Sequence, residues 1–246
     1  MYEELKKIIE ENDNIVFFGG AGISTESNIP DFRSTQGINK IKRFGKPPVE
    51  MMLSASYFNK KTKDFYKFYF NNLVYPEALP NRAHYALARL EKQGKLKAVI
   101  TQNIDGLHQS AGSKNVLELH GSILRNYCKD CNTSYTLEEM LEFKKSKKVP
   151  TCRRCKGVIK PDVVLYEEIL DNSTVDRAVE YISKADVLII GGTSLVVYPA
   201  AGLLRYFKGK TLVLINKDET KLDERADIVI HDSIANVLDE VIPSDI

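Results

Sequence analysis

The sequence predicts an α/β fold, a doubly wound parallel sheet with a smaller domain set into it, and three observations lead there. Short apolar runs of strand length recur at 15–18, 98–100, 116–119, 187–190, 212–215 and 228–230, and helical patterns lie between several of them, near 81–94, 172–184 and 199–208. Strands apolar on both faces that alternate with helices form parallel sheets covered on either side. The first run stops at Gly19-Gly20 and passes straight into a further glycine turn. All four cysteines stand in one stretch that interrupts the alternation, as two Cys-x-x-Cys pairs.

Taken in order, Leu5, Ile8 and Ile9 share one helical face, and Ile15-Val16-Phe17-Phe18 reads as the first buried strand. Two stretches then depart from the pattern. The first, about 31–79, runs through a Lys-rich loop (Lys40, Lys42, Arg43, Lys46) into an aromatic helix with Phe58, Phe65, Tyr66, Phe68, Tyr69 and Phe70. The second, about 126–160, carries the cysteines and the basic run Lys144, Lys145, Lys147, Lys148. The expected large domain is therefore about 1–30, 80–125 and 161–246, and the small domain combines a helical module, 31–79, with a metal module, 126–160. Clefts between such domains are favoured ligand sites.

With 246 residues, 43% of them hydrophobic, the chain can fill a substantial core. A net charge of +2 gives no global field toward nucleic acid or membrane, so no specific nucleic-acid partner is expected. No apolar run approaches the roughly 20 residues of a membrane span. The N-terminal MYEELKKIIEEN is charged and amphipathic, without an apolar signal core, and the expected location is cytoplasmic. The basic runs read first as solvated faces.

Cys128 and Cys131, then Cys152 and Cys155 after twenty residues, can close four thiolates around a tetrahedral zinc and leave no position for water. The expected Zn2+ is a single structural ion. A disulfide reading needs an oxidising compartment, and a thioredoxin-like redox site needs only one such pair. Lys129, Arg153, Arg154 and Lys156 stand ready to offset the charge of a four-thiolate centre.

Gly20-Ala21-Gly22-Ile23-Ser24 follows the first strand and opens a helix, where backbone N–H groups face a phosphate and glycine permits close approach. A dehydrogenase places an acidic ribose ligand after a second strand about 20 residues on. Here Pro30-Asp31-Phe32-Arg33 and a polar loop stand instead, which argues against hydride transfer. Later strand ends supply Gly191-Gly192-Thr193-Ser194 and Asn216, short polar side chains suited to ribose and phosphate oxygens. Either set alone could serve only as a helix cap; together they point to a dinucleotide.

The chain resembles the sirtuins, NAD-dependent protein deacylases, in a series of ordered motifs: GAGISTESNIPDFR at 20–33, PNRAH at 80–84, TQNIDGLH at 101–108, LHG at 119–121, the cysteine pairs, KPDVVLYEE at 160–168, GGTSLVVYPA at 191–200 and LINKDET at 214–220. The resemblance implies a large Rossmann-like domain plus a smaller helical and zinc-ribbon domain. It implies that Gly20, Ala21, Gly22, Thr25 and Arg33 meet NAD phosphates and ribose, with Phe32 over the nicotinamide end. Gln102, Ile104 and Asp105 would line the nicotinamide pocket, Asn103 would order ribose or a water, and Thr193, Ser194, Asn216 and Ile234 would hold the adenosine half. Val163, Val164 and Tyr166 would meet the acetylated lysine of a protein substrate. His120 matches the catalytic histidine.

In the implied reaction the acyl oxygen attacks the nicotinamide ribose, His120 acts as general base on a ribose hydroxyl, and nicotinamide, free lysine and 2'-O-acetyl-ADP-ribose result. Histidine suits that base because its reference pKa of about 6.5 lies near working pH. The other histidines, His84, His108 and His231, read as structural hydrogen-bonding groups. The runner-up readings are mono-ADP-ribosyl transfer from the same pocket and a zinc-ribbon binding module.

Three positions depart from the sirtuin pattern. Asn28 stands where glycine is usual, and asparagine tolerates a positive φ. Glu167 also replaces a glycine, in the peptide-binding segment, and is expected to project across the line of an extended substrate and to favour basic flanking residues. Tyr69 is followed by Asn72 rather than by the arginine that would hold a succinyl carboxylate, so neutral acyl groups are expected.

Overall fold

A computed structural model of the chain describes residues 2–34, 37–40 and 47–242. Lys42, Arg43 and Lys46 of the predicted Lys-rich loop lie outside the described residues. All six predicted strands are present: β1 (Ile15–Gly19), β2 (Leu96–Thr101), β3 (Val116–Glu118) and, after the cysteine stretch, β7 (Val187–Gly191), β8 (Thr211–Ile215) and β9 (Ile228–Ile230). They form one parallel sheet in the order β3-β2-β1-β7-β8-β9.

The run of apolar residues in β1 and β7 follows from their place in the middle of this sheet, where both faces are covered. Ile15 and Phe17 pack on one face against Leu5 and Ile9 of α1 (Tyr2–Glu11) and Leu87 and Leu90 of α5 (Arg82–Lys92). Val16 and Phe18 pack on the other against Ala178 and Ile182 of α8 (Asn172–Lys184). A further helix, α9 (Ile234–Val241), closes the first face with Val237 and Leu238. The predicted helix near 199–208 is a 3-10 segment, Ala200–Tyr206, and so is the turn after the first strand, Ala21–Ser27.

The predicted aromatic helix is divided. After α2 (Val49–Met52), α3 (Ala55–Lys60) and α4 (Thr62–Asn72) meet at Lys61, whose φ of −135° is extended rather than helical. Their rings pack mainly edge to face, as Phe58 on Phe65 with centroids 4.9 Å apart at 85°.

Around the cysteines, β4 (Gly121–Cys128) pairs antiparallel with β5 (Ser134–Thr136) on one side and β6 (Ile159–Val163) on the other. The helix α7 (Leu137–Ser146) opens with a capping box between Thr136 and Glu139. Tyr135, Met140, Cys128, Cys152 and Ile159 share one core with the aromatic side chains of α3 and α4. The two departures from the alternating pattern therefore lend each other the apolar surface that neither has alone. No helix among the described residues is long and apolar enough to cross a membrane.

Asn28 ends the 3-10 segment in the left-handed region, φ 61° and ψ 24°, with its N–H donating to Thr25 O at 3.2 Å. A β-branched residue pays roughly 1–2 kcal/mol for that conformation. Asn28→Val is expected to lower the unfolding free energy by about that amount, and Asn28→Gly to leave it nearly unchanged, in urea titrations.

Candidate active site

The chain turns from strand to loop at six neighbouring points along one edge of the parallel sheet, and the predicted polar residues follow those points. The short loop after β1 lies against the loop after β7: Gly22 N–H donates to Gly192 O at 2.7 Å, and a Cβ on Gly22 would stand 2.7 Å from the Gly192 Cα. Gly192 itself has φ 61°. Thr193 is then held from two directions. Its backbone N–H donates to Asn216 Oδ1 and its carbonyl accepts from Asn216 Nδ2, both at 3.0 Å, while Gln102 Nε2 donates to its Oγ1 at 3.0 Å. Arg33 Nη1 reaches Ser194 Oγ at 3.3 Å, and Thr25 Oγ1 donates to Gly22 O at 2.9 Å. Ile234, at the start of α9, fits against Gly191, where a Cβ would lie 2.0 Å from the Ile234 Cδ1.

A second network joins the loop after β2 to the first glycine turn. Asn103 Nδ2 donates to Ser24 Oγ at 3.0 Å, Ser24 Oγ donates to Asp105 Oδ2 at 2.7 Å, and Leu107 N–H donates to Asp105 Oδ1 at 3.0 Å, at the start of α6 (Leu107–Ser110). Burial pushes the Asp105 carboxyl above the usual range, and the bonds from Leu107 and Ser24 oppose that rise. Ser24 is the residue that sequence reasoning did not single out. Its signal was present: a hydroxyl directly after the glycine turn, too deep in the site at 1% exposure to be a surface polar residue. Phe32 and Ile104 both pack at the border of the aromatic core.

His120 sits between β3 and β4, with Nδ1 2.9 Å from the Gln102 carbonyl oxygen. A carbonyl only accepts, so Nδ1 carries the hydrogen and Nε2 keeps its lone pair. Burial lowers the pKa of the imidazole, partly opposed by that bond. The backbone of His120 also accepts from Val164 N–H at 3.0 Å, and Gly121 pairs with Val163, which brings the predicted substrate segment against the histidine. Tyr166 is exposed and bridges in parallel to Ser54.

Of the other histidines, His84 and His231 make the expected structural hydrogen bonds, whereas the His108 ring makes none among the described residues and is held by burial alone. His84 Nδ1 accepts from Asn81 N–H at 3.2 Å and completes the cap of α5. His108 is buried, with its ring centroid 4.8 Å from that of His84, and neither of its nitrogens has a partner among the described residues. Burial drives the His84 pKa down to about 4 and that of His108 well below the ordinary value. His231 pairs with Asp223 at 3.1 Å.

Glu167 turns its carboxylate to α3 and accepts from Ser56 N–H at 2.8 Å, in a first turn that the Ser54 side chain also caps. Its φ of 76° accounts for the glycine usual there. Asn72 Nδ2 donates back to Phe68 O at 2.7 Å, and Tyr69 is buried at 1% exposure.

The four cysteine sulfurs all lie within 4.8 Å of one another, with Cys128 to Cys155 at 3.4 Å and Cys131 to Cys152 at 3.6 Å, and none is in a disulfide. A zinc with four bonds of about 2.3 Å needs sulfurs near that spacing, so the cluster fits the ion. Tyr135 Oη and Arg154 N–H point at Cys152 Sγ, at 3.1 and 3.3 Å. Of the four cations expected near the centre, Arg153 pairs with Glu139 and Lys129 Nζ bonds Asn59 at 2.7 Å over the Phe58 ring.

A family model described as Sir2 family matches residues 20–199. The chain belongs to the Sir2 family. Within it, the chain is 60% identical over 239 residues to an NAD-dependent protein deacetylase of Clostridium acetobutylicum, covering 97% of both chains, and 60% identical over 240 residues to one of Clostridium perfringens, again covering 97% of each. Among solved structures it is similar to a Sir2–p53 peptide–NAD+ complex, with a TM-score of 0.87 at 37% identity over 98% of this chain and 97% of the other. A structure of Sir2 bound to acetylated peptide gives a TM-score of 0.86 at 36% identity, with coverage of 98% and 97%.

Two outcomes follow from this geometry. Cys128→Ala, or removal of metal with a chelator, is expected to lose zinc and unfold the region built on β4, β5 and β6, read by metal analysis and thermal melting. Because His84 and His108 titrate near 6.5 when unfolded and well below that when folded, the unfolded chain takes up protons first as pH falls. Stability is fully present above pH 6.5 and is lost as pH falls toward 4, by up to about 1.4 kcal/mol per pH unit for each ring. Urea midpoints at pH 7 and 5 check this, and His108→Leu should show the shallower decline.

Proposed function

We infer that this chain is an NAD-dependent protein deacetylase, acting on the acetylated lysine of protein substrates and yielding nicotinamide, free lysine and 2'-O-acetyl-ADP-ribose. One observation carries the reading. His120, half-buried at the sheet edge, commits Nδ1 to the Gln102 carbonyl and leaves Nε2 for a substrate proton, beside the loop of Gln102, Asn103, Ile104 and Asp105.

NAD supplies a glycosidic carbon whose nicotinamide can depart when the acetyl oxygen takes its place. The donor set fits that molecule. The Ala21 backbone N–H and the Arg33 guanidinium suit its phosphates, with the Thr25 hydroxyl beside them; the Gly20 and Gly22 N–H groups are already bonded to Gly191 O and Gly192 O, so these two glycines contribute close backbone approach and not donors, a correction to the sequence expectation. Thr193, Ser194 and Asn216 offer hydroxyl and amide groups to the adenosine half, with apolar Ile234 beside the base. Asp105, made rigid by Ser24 and Leu107, is assigned to the carboxamide, and Asn103 to a ribose hydroxyl or water. Phe32 and Ile104 exclude water from the reacting carbon.

An amide oxygen is a weak nucleophile, so positioning carries much of the rate. Val163, Val164 and Tyr166 are assigned to that task. His120 Nε2 then takes a proton from a ribose hydroxyl, and its burial-lowered pKa keeps it unprotonated near neutral pH. The division into a large domain (1–30, 80–125, 161–246) and a small one (31–79, 126–160) belongs to the same proposal, supported by the aromatic core that α3 and α4 share with the cysteine region. A cytoplasmic location is consistent with four thiols held for metal rather than disulfides.

Incubation with NAD and a panel of acetyl-, propionyl- and succinyl-lysine peptides, read by mass, tests the reaction. Loss of a neutral acyl group with nicotinamide release is expected, with the succinyl peptide least active. Addition of ADP-ribose mass to the acceptor would indicate the transferase reaction instead. His120→Ala should keep fold and NAD binding and lose about 100-fold or more in turnover, the usual scale of a general base.

A further inference from the structure

We propose that Glu167 is a positioning residue for the substrate peptide, a latch that ties segment 163–168 to the helical module and holds it ready for docking. The proposal rests on the reading of that segment as the peptide site.

The segment is anchored at both ends. At one, Val163 pairs with Gly121 and Val164 N–H donates to His120 O at 3.0 Å. At the other, Tyr166 N–H donates to Leu53 O and Ala55 N–H to Tyr166 O, both at 3.0 Å, and Ser56 N–H donates to Glu167 Oε2 at 2.8 Å. Between them, Glu168 Oε2 accepts from Leu165 N–H at 2.8 Å and pairs with Lys160 at 3.0 Å. The histidine and the helical module are thus joined through six residues, and the last tie at the far end is a side chain rather than backbone.

Glu167 holds φ 76°, a conformation that costs an L-residue energy and that glycine adopts freely. The carboxylate bond to the first turn of α3 opposes that cost, and Ser56, then Ser54 and Lys60, hold the carboxyl below its ordinary range. Glycine at this position would leave only the backbone bond from Ala55 to Tyr166 as a tie to α3; glutamate adds a second one and restricts the corner. A docking edge fixed before binding pays less ordering entropy when an extended peptide pairs with it. The contribution belongs to the peptide and not to NAD, since Glu167 bonds α3 and no residue of the glycine turn.

Alanine has the same Cβ as glutamate, so Glu167→Ala removes the carboxylate and keeps the backbone strain, while Glu167→Gln keeps an oxygen that can accept from Ser56. With an acetyl-lysine peptide, Glu167→Ala should raise the peptide KM roughly tenfold, the scale of one charge-assisted bond, with kcat and the KM for NAD within about twofold of wild type. Glu167→Gln should fall between the two. Hydrogen exchange reads the latch without activity: the amides of Ser56 and of 164–168 should exchange faster in Glu167→Ala, while those of β1 and β7 do not change. If the wild type releases no nicotinamide with the peptide, the functional reading fails, and exchange still reports on the latch. An unchanged peptide KM in Glu167→Ala, an equal rise in both KM values, or unchanged exchange at Ser56 would overturn the proposal. Should the alanine variant not fold, the glutamine variant decides by the same criteria.

Discussion

Where the loop after β1 crosses the loop after β7, Gly22 rests directly on Gly192, backbone against backbone, with a 2.7 Å hydrogen bond between them. A Cβ on Gly22 would meet the Gly192 Cα at 2.7 Å, and one on Gly192 would meet the Ile23 nitrogen at 2.4 Å. The contact lies at the point where the sheet changes winding direction, β2 and β3 on one side of β1 and β7, β8 and β9 on the other. Doubly wound sheets open a crevice there. With the two loops pinned together, each strand end delivers its polar residue to one wall: Ser24 and Thr25 from the first, Gln102 to Asp105 from the second, Thr193 from the seventh and Asn216 from the eighth. Thr193, bonded to both Gln102 and Asn216, connects the two halves of the sheet across that crossing.

The physical demand on such a site is fixed polarity in a place water does not reach. Ser24 illustrates how the chain meets it: one buried hydroxyl accepts from Asn103 and donates to Asp105, so three side chains from two loops hold a single arrangement. His120 is treated likewise, its tautomer set by a main-chain carbonyl. The cysteine cluster contributes at a distance. It lies at the end of β4, whose first residue follows His120, so the cysteine region and the edge proposed as catalytic share one strand.

Much of this was legible from residue pattern. Six apolar runs became six parallel strands because residues covered on both faces leave an uninterrupted signal, and the Cys-x-x-Cys spacing foretold the sulfur cluster. Short or mixed elements were not legible. Of the strands around the cysteines, β5 has only three residues and β4, with eight, does not alternate because its register shifts against β6, and α9 was missed because its amphipathic stretch from Ile234 is only eight residues long. The aromatic stretch read as one helix because ring spacing continues through Lys61, where the backbone breaks. Ser24 was overlooked since a serine after a glycine turn reads as a cap, and the partner of Glu167 is 111 residues away in sequence.

The central claim is that the acetyl oxygen of a modified lysine, held beside residues 163–166, attacks the ribose, and that a half-buried imidazole oriented by Gln102 then receives a ribose proton. A crystal structure with an acetyl-lysine peptide and an NAD analogue that cannot release nicotinamide tests it most directly. Nε2 of His120 should lie within about 2.6–3.2 Å of a ribose hydroxyl, with the acetyl group between Phe32 and Val163. An imidazole turned away from the ribose, or a peptide seated without a passage to the glycosidic carbon, would contradict it.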